Sequence, residues 1–196
     1  GISVSKIDEQ EVHLEDGNIL DADLVILAIG VRPDIALAQS AGLEIGVRGG
    51  IRVDDHNLTS DSEIYALGDA VEKIDDFDES STLVPLANIA NRHGRVIADH
   101  ISNRFTREVK TIGTAIVKVF DLAIATTGWN EKRLRAAGMP YQVIHTHPGS
   151  HAGYYPGAQT IAIKLLFHPK TGAIFGAQAI GKDGVDKRID VIATAI

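Results

Sequence analysis

Cysteine is absent from this sequence of 196 residues. Without a thiol, the chain forms no disulfide bond, no thiolate metal site and no cysteine nucleophile. An excess of positive charge is also missing, because 26 acidic residues outnumber 19 basic residues and give a formal net charge of −7. Since this charge balance does not attract a phosphate backbone, we expect no nucleic acid partner.

Long apolar runs are missing as well. The longest ones, residues 24–29 and 160–167, fall far short of the roughly 20 residues that span a bilayer. The first residues show no basic stretch followed by an apolar one, so the sequence predicts neither a membrane segment nor a signal peptide. We therefore expect a cytoplasmic protein. Its 44% hydrophobic and 23% charged residues are typical of a globular protein and exclude a disordered chain.

The first half of the sequence alternates turn residues with short apolar stretches. The Asp-Gly pair at residues 16–17 predicts a hairpin, because glycine accepts the positive φ of a tight turn. Residues 24–29 and 64–67 are continuous apolar runs, which predict two strands buried in a sheet. Residues 85–103 repeat apolar side chains with helical spacing, and Pro85 suits the first position of a helix. The first half is therefore predicted to be α/β.

Two polar segments of this half are interpreted as surface. Residues 75–81 contain four acidic residues and two serines, which is typical of a solvated loop. Asn91, Arg92 and His93 stand within the predicted helix, and a solvated or interface face is preferred there over contact with a ligand. No chemistry is assigned to either segment.

The second half follows a charged connector at residues 104–108, which we interpret as a domain boundary. Turn residues between short apolar stretches predict an antiparallel sheet, and Asn130 predicts a helix start because its side chain can cap free N–H groups. A last helix is predicted from Asp183 and is still apolar at Ile196. The predicted strands are residues 114–120, 122–127, 141–146, 160–167 and 173–180.

Asp69 is the first candidate for chemistry. It follows Gly68 and the predicted strand at residues 64–67, and ligands of open α/β sheets bind at the carboxyl ends of such strands. A carboxylate there accepts hydrogen bonds from ribose or ribitol hydroxyls. The alternative is a structural role in which Asp69 caps a turn or a helix.

Three segments of the first half carry a family resemblance. They are residues 28–34, then Thr59 with residues 64–70, and residues 85–87, and they have the order and spacing of three consecutive motifs in the FAD-dependent pyridine nucleotide-disulfide oxidoreductases. The sequence therefore resembles this family.

The second half resembles the C-terminal dimerisation domain of one subfamily, the CoA-disulfide reductases and their NADH oxidase relatives. Residues 151–158, 168–178 and 181–190 carry this resemblance. The two resemblances imply an α/β part followed by an α+β part. These are the returning half of a FAD-binding Rossmann-like domain and an antiparallel-sheet dimerisation domain with helices.

The resemblance also implies site residues. Asp69, after Gly68, falls on the family's aspartate that binds the flavin ribitol. Pro85, Leu86 and Ala87 fall on the segment that lies against the pyrimidine edge of the flavin. A helix N-terminus suits that place, because its free N–H groups favour the negative charge that develops there on reduction.

Domain boundaries follow from the same resemblance. Residues 1–32 are expected to end the NAD-binding domain, residues 33–108 to form the second part of the FAD-binding domain, and residues 109–196 to form most of the dimerisation domain. The Gly-x-Gly-x-x-Gly fingerprints that hold the pyrophosphates of FAD and NAD are missing. We therefore interpret the sequence as a C-terminal fragment, truncated within its last domain, that is inactive alone and retains no cofactor.

Tyr154 and Tyr155 are the catalytic candidates. In the CoA-disulfide reductase group, the resemblance implies that a tyrosine from this region reaches the active site of the partner subunit in a homodimer, where a phenol can donate a proton. One of the pair is expected to act, and an aromatic turn without chemistry is the alternative. His145, His147 and His151 lack a helical pair and nearby carboxylates, so no metal site is predicted.

The intact protein is expected to pass a hydride from NAD(P)H to FAD, and then electrons to a cysteine outside this chain. Its acceptor is expected to be CoA disulfide, another small disulfide or a persulfide, or else oxygen or a peroxide. The alternative is a non-catalytic dimerisation or interaction module derived from the same family.

Overall fold

The computed structural model describes residues 1–75, 77–106 and 111–196. The chain divides into two compact units, residues 1–31 and residues 32–196. Within the described ranges, no helix has both the length and the apolar character needed to cross a bilayer.

The first unit is a three-stranded antiparallel sheet. Its strands β1 (Val4–Ile7), β2 (Glu11–Leu14) and β3 (Ile19–Asp21) follow one another in the order of the sequence. Gly17 turns the chain between β2 and β3 with a φ of +85°, a value that glycine adopts without strain. The predicted hairpin is confirmed.

The strand predicted at residues 24–29 is wrong for this structure. The segment is not assigned to any strand, and Leu24, Ile26, Leu27 and Ile29 are at least 71% exposed. A strand buried on both faces requires ladder partners and covering helices. The described part of the first unit offers neither, because its sheet consists of β1 to β3 alone.

The second unit begins with short elements that lead to a long helix. The elements are α1 (Ala36–Ser40), β4 (Ile51–Arg52), β5 (Val71–Ile74), β6 (Ser81–Thr82) and α2 (Ala87–Ile101). β5 pairs in parallel with β4 and antiparallel with β6. The helix predicted at residues 85–103 is confirmed with trimmed ends, and its buried residues keep the predicted helical spacing: Ile89, His93, Val96 and Ile97.

Residues 64–67 do not form the second predicted strand. They contribute only one isolated bridge, between Tyr65 and Leu58, and Ile64 and Leu67 remain partly exposed. The chain then enters a short 3₁₀ turn, Gly68–Ala70. The apolar run failed as a predictor because a buried inner strand depends on neighbouring strands that do not pair with it here.

The second half of this unit is a five-stranded antiparallel sheet with two helices, as predicted. Its strand order is β7-β8-β11-β10-β9. Adjacent residues Leu165 and Leu166 of one strand pack into different hydrophobic clusters, so both faces of the sheet carry a core. The elements are β7 (Ala115–Val119), β8 (Leu122–Gly128), α3 (Glu131–Ala136), β9 (Gln142–Thr146), β10 (Ala162–Phe167), β11 (Ile174–Gly181) and α4 (Val185–Ala195).

The two helices cover these cores. Val185 and Ile189 of α4 pack in one cluster with buried residues of β8, β10 and β11. Leu134 of α3 is fully buried in the other cluster, beside Trp129 and Leu166. The predicted cap of α3 is confirmed.

Candidate functional site

The 3₁₀ turn Gly68–Ala70 packs closely against helix α2. Gly68 has a φ of +73°, and a Cβ atom at this position would lie 3.2 Å from the Cβ atom of Ala90. A larger residue would therefore meet both backbone strain and the helix. Glycine at this position brings the turn and the beginning of α2 together.

His93 supports the same turn from inside the protein. Its Nδ1 accepts a hydrogen bond from the Gly68 N–H at 3.3 Å, and the residue is only 2% exposed. Burial, with a smaller effect from the charge of Lys73, lowers the pKa of His93 to about 4. The ring is therefore neutral near pH 7, and because Nδ1 accepts, its proton lies on Nε2.

The Nε2 atom of His93 has no hydrogen-bond partner among residues 1–75, 77–106 and 111–196. The sequence interpretation, a solvated or interface face, is wrong for this residue. Its helical spacing with Ile89 and Ile97 was the available signal for burial. The bond to Gly68 had no sequence signal, since 25 positions separate the two residues.

Asp69 stands on this turn with its side chain exposed. Its carboxylate forms no hydrogen bond or ion pair with the described parts of the chain. The capping alternative therefore lacks the bond to an N–H group that defines a cap. The carboxylate is available to a ligand.

The beginning of α2 supplies a hydrogen-bond donor. Pro85 has no N–H group, and the Leu86 N–H donates to the Val84 carbonyl at 2.9 Å. The Ala87 N–H has no acceptor within the described ranges, and no side chain caps the helix. Among the three predicted contact residues, Ala87 is therefore the one whose N–H group is free.

The arrangement fits the group that the resemblance implies. A free carboxylate suits hydroxyl donors such as those of ribitol, and a free helix N-terminus suits an anionic ring edge. The two predicted segments are connected by the contact of Gly68 with Ala90 and by its bond to His93.

Asp75 requires a correction, because residues 75–81 are not simply a solvated loop. The Asp75 side chain is buried, and its carboxylate lies 2.9 Å from the Arg133 guanidinium. It also accepts the Trp129 Nε1–H at 3.2 Å and the Phe77 N–H at 2.9 Å. The sequence shows the acidic run but does not show which groups donate to Asp75. Trp129 is 54 positions away from Asp75, and Arg133 is 58 positions away. Asp76 lies outside the described residues.

Tyr154 and Tyr155 lie in the loop between β9 and β10. They are 85% and 64% exposed, and their ring centroids are 5.2 Å apart. Neither hydroxyl has a partner within the described chain. His145 lies in β9, and His147 directly follows that strand. Within the described ranges, no three side chains of the types that bind metals lie together as a possible metal site. The choice between the two tyrosines stays a prediction.

The described chain therefore has an α/β part, with an exposed free carboxylate beside an uncapped helix N-terminus, followed by an antiparallel sheet with two helices. The chain belongs to the pyridine nucleotide-disulphide oxidoreductase family. Residues 1–94 match the family described by that name, and residues 114–196 match its dimerisation domain.

Three similar proteins give the scale of the relationship. An NADH oxidase of Methanocaldococcus jannaschii is 36% identical over 181 residues, which is 92% of this chain and 40% of the relative. A coenzyme A disulfide reductase of Staphylococcus aureus is 31% identical over 194 residues, which is 98% of this chain and 44% of the relative. The crystal structure of reduced Bacillus anthracis CoADR-RHD superimposes with a TM-score of 0.90 and 50% identity, and the match covers all of this chain and 36% of that one. The chain thus spans less than half the length of these proteins.

Proposed function

We propose that this chain is the C-terminal part of a flavoprotein, an NAD(P)H-dependent disulfide reductase or NADH oxidase of the CoA-disulfide reductase type. The observation that carries the proposal is the free carboxylate of Asp69, on a turn that packs against the first turns of the uncapped helix α2. This combination offers hydrogen-bond acceptors and donors together, as a polyhydroxylated cofactor with an anionic ring edge requires.

Each site residue has a role in this proposal. Asp69 holds ribitol hydroxyls, and Gly68 allows the turn that presents it. Ala87 offers its N–H group to the pyrimidine edge of the flavin, while Pro85 and Leu86 lead the chain into the helix. Bound FAD supplies the hydride acceptor for NAD(P)H.

The domain assignment belongs to the same proposal. Residues 1–32 end the NAD-binding domain, residues 33–108 complete the FAD-binding domain, and residues 109–196 form the dimerisation domain. The exposed apolar run at residues 24–29 supports it, since such a run requires neighbouring strands to cover it. In the parent protein, those neighbours belong to the rest of the NAD-binding domain.

The parent protein transfers electrons from NAD(P)H through FAD and a cysteine outside this chain to an acceptor. Acceptors of the proposed type are CoA disulfide, other small disulfides, persulfides, oxygen and peroxides. The dimerisation domain pairs two subunits, and Tyr154 or Tyr155 of one subunit donates a proton in the active site of the other. Their exposure and free hydroxyls support this role.

The test compares the wild-type parent, expressed from the full reading frame that encodes this chain, with Asp69→Ala. We expect a yellow wild-type protein with one FAD per subunit. Loss of a charged hydrogen-bond acceptor weakens FAD binding about 10- to 100-fold. Asp55→Ala is the matched control, because Asp55 is also exposed and its side chain has no partner in the described chain.

The acceptor is identified by NADH and NADPH consumption with CoA disulfide and with oxygen. A colourless wild-type parent from a complete reading frame contradicts the proposal and supports the alternative, a non-catalytic dimerisation module. The 196-residue chain alone is expected to be colourless and inactive, and a flavin absorbance band in that purified chain would contradict this expectation.

A further inference from the structure

His93 occupies an unusual place for a histidine. It is buried in the face of α2 that packs on the core, next to apolar residues of the same helix, and yet its ring carries two polar atoms. Nδ1 is used by Gly68, whereas Nε2 has no partner among the described residues. A buried polar atom without a partner, such as Nε2, destabilises a fold. We therefore infer that the hydrogen bond of Nδ1 to Gly68 provides a benefit that an apolar side chain could not.

The hydrogen bond acts on a constrained part of the backbone. Gly68 has a positive φ and begins the turn that carries Asp69. A hydrogen bond that holds the Gly68 N–H group therefore also fixes the backbone direction at the next residue, Asp69. Since the Asp69 carboxylate makes no hydrogen bond or ion pair within the described chain, the constraint on its position comes from this turn.

We propose that His93 is a positioning residue, which holds the Gly68 N–H through Nδ1 and thereby fixes the orientation of the Asp69 carboxylate toward a ribitol-bearing cofactor. The role in cofactor binding rests on the proposed function above. The lowered pKa of His93 agrees with it, because only the neutral ring leaves Nδ1 free to accept. Lys73, the charged group that acts on His93, has its own bond to the Asp54 carbonyl at 3.0 Å.

Three substitutions separate the two ring nitrogens. His93→Asn places an amide oxygen near the position of Nδ1, His93→Gln places its amide near the position of Nε2, and His93→Leu removes both while filling a similar volume. If the proposal is correct, the asparagine variant restores what the leucine variant loses. The glutamine variant does not.

The first readout uses the 196-residue chain without cofactor. In ¹⁵N NMR spectra at neutral pH, we expect a non-protonated Nδ1 in His93 and a hydrogen-bonded, exchange-protected Gly68 amide. Protection of this amide is retained in His93→Asn and lost in His93→Leu and His93→Gln. Far-UV circular dichroism and thermal unfolding identify any variant that fails to fold, and Gly68 protection is then compared among the folded variants.

The second readout is the FAD dissociation constant of the parent protein and the visible circular dichroism of its flavin. Loss of one neutral hydrogen bond raises the dissociation constant roughly three- to tenfold in His93→Leu and His93→Gln, with a changed flavin spectrum. His93→Asn remains near wild type. Equal FAD binding in all variants, rescue by glutamine alone, or equal loss in all three would overturn the proposal.

The two readouts also distinguish failure of this inference from failure of the proposed function. A wild-type parent that binds no FAD overturns the proposed function, and with it the role in cofactor binding. The protection of Gly68 in the isolated chain then still reports whether His93 holds the turn. A wild-type parent that binds FAD with an unprotected Gly68 amide overturns the inference alone.

Discussion

The Arg133 guanidinium lies 2.9 Å from the buried carboxylate of Asp75 and 4.2 Å from the centre of the Trp129 ring. Asp75 follows β5, whereas Arg133 and Trp129 belong to the antiparallel half, so the contact joins the two halves of the second unit. Phe77 adds an edge-to-face contact with Trp129, at a centroid distance of 5.4 Å. One aspartate therefore satisfies two donors at the junction.

Substitution of Asp75 is expected to weaken this junction. Asp75→Ala leaves the buried Trp129 indole N–H without an acceptor, which costs about 1–3 kcal/mol of unfolding free energy. Asp75→Asn keeps an acceptor and loses only the ion pair with the half-exposed Arg133, so its effect is smaller. The measurement is urea unfolding followed by fluorescence, because Trp129 is the only tryptophan. Asp55→Ala is the control, and an equal loss of unfolding free energy in it and in Asp75→Ala would argue against a stabilising role for the contacts of Asp75 with Arg133 and Trp129.

The pH dependence of stability provides a second prediction. The pKa of His93 is about 4 in the folded chain against an ordinary value of 6.5. As the pH falls below 6.5, the unfolded chain binds a proton that the folded chain excludes, so the unfolding free energy decreases. This loss amounts to about 3 kcal/mol by pH 4, where the folded state also binds the proton. Denaturant unfolding at several pH values checks it. Between pH 6.5 and 4, the unfolding free energy of wild type should decrease more steeply with falling pH than that of His93→Leu. Identical slopes would refute the lowered pKa of His93 as the cause.

Glycine substitutions test the contact between the turn and α2. Gly68→Ala and Gly42→Ala introduce alanine at φ values of +73° and +74°. The backbone strain is expected to lower the free energy of unfolding by about 1–2 kcal/mol in each variant. Around Gly42 the space is open, whereas a Cβ atom at Gly68 lies 3.2 Å from Ala90. Overpacking therefore adds about 1–3 kcal/mol at Gly68 alone. Thermal unfolding of both variants measures the difference, and FAD retention in the parent should fall only with Gly68→Ala. Equal stability of the two variants would mean that α2 does not constrain the turn.

Single substitutions in the parent enzyme determine which of Tyr154 and Tyr155 donates a proton. If one phenol donates a proton, replacing it by phenylalanine lowers kcat about 100-fold or more, because general acid catalysis contributes about 10²- to 10⁴-fold. The two variants are Tyr154→Phe and Tyr155→Phe. The one that keeps a nearly unchanged kcat then serves as the matched control for the other. Steady-state kinetics with NADH and the preferred acceptor make the comparison. Unchanged kcat in both variants would leave the pair as an aromatic turn.

The sequence predicted the elements that local rules govern. Helix α2 follows from its apolar spacing, α3 from the cap at Asn130, whose Oδ1 accepts the Arg133 N–H at 2.9 Å, and the β2–β3 hairpin from Gly17. Motif order alone indicated the family, and the resemblance predicted flavin contacts at Gly68, Asp69, Pro85, Leu86 and Ala87. The helix spacing, the cap and the hairpin turn depend on residues within a few positions of one another, so their signals are present in a single sequence.

Tertiary structure decided the features that depend on distant partners. The run at residues 24–29 reads as an inner strand, but strand formation requires ladder partners that no local pattern guarantees. Asp75 belongs to an acidic run typical of a loop, and only the fold brings Arg133 and Trp129 to it. His93 has the helical spacing of a core residue, yet its bond to Gly68 forms because α2 packs against the turn. Sequence therefore determined the local elements and the family, whereas burial and hydrogen-bond pairing were set by contacts between distant segments.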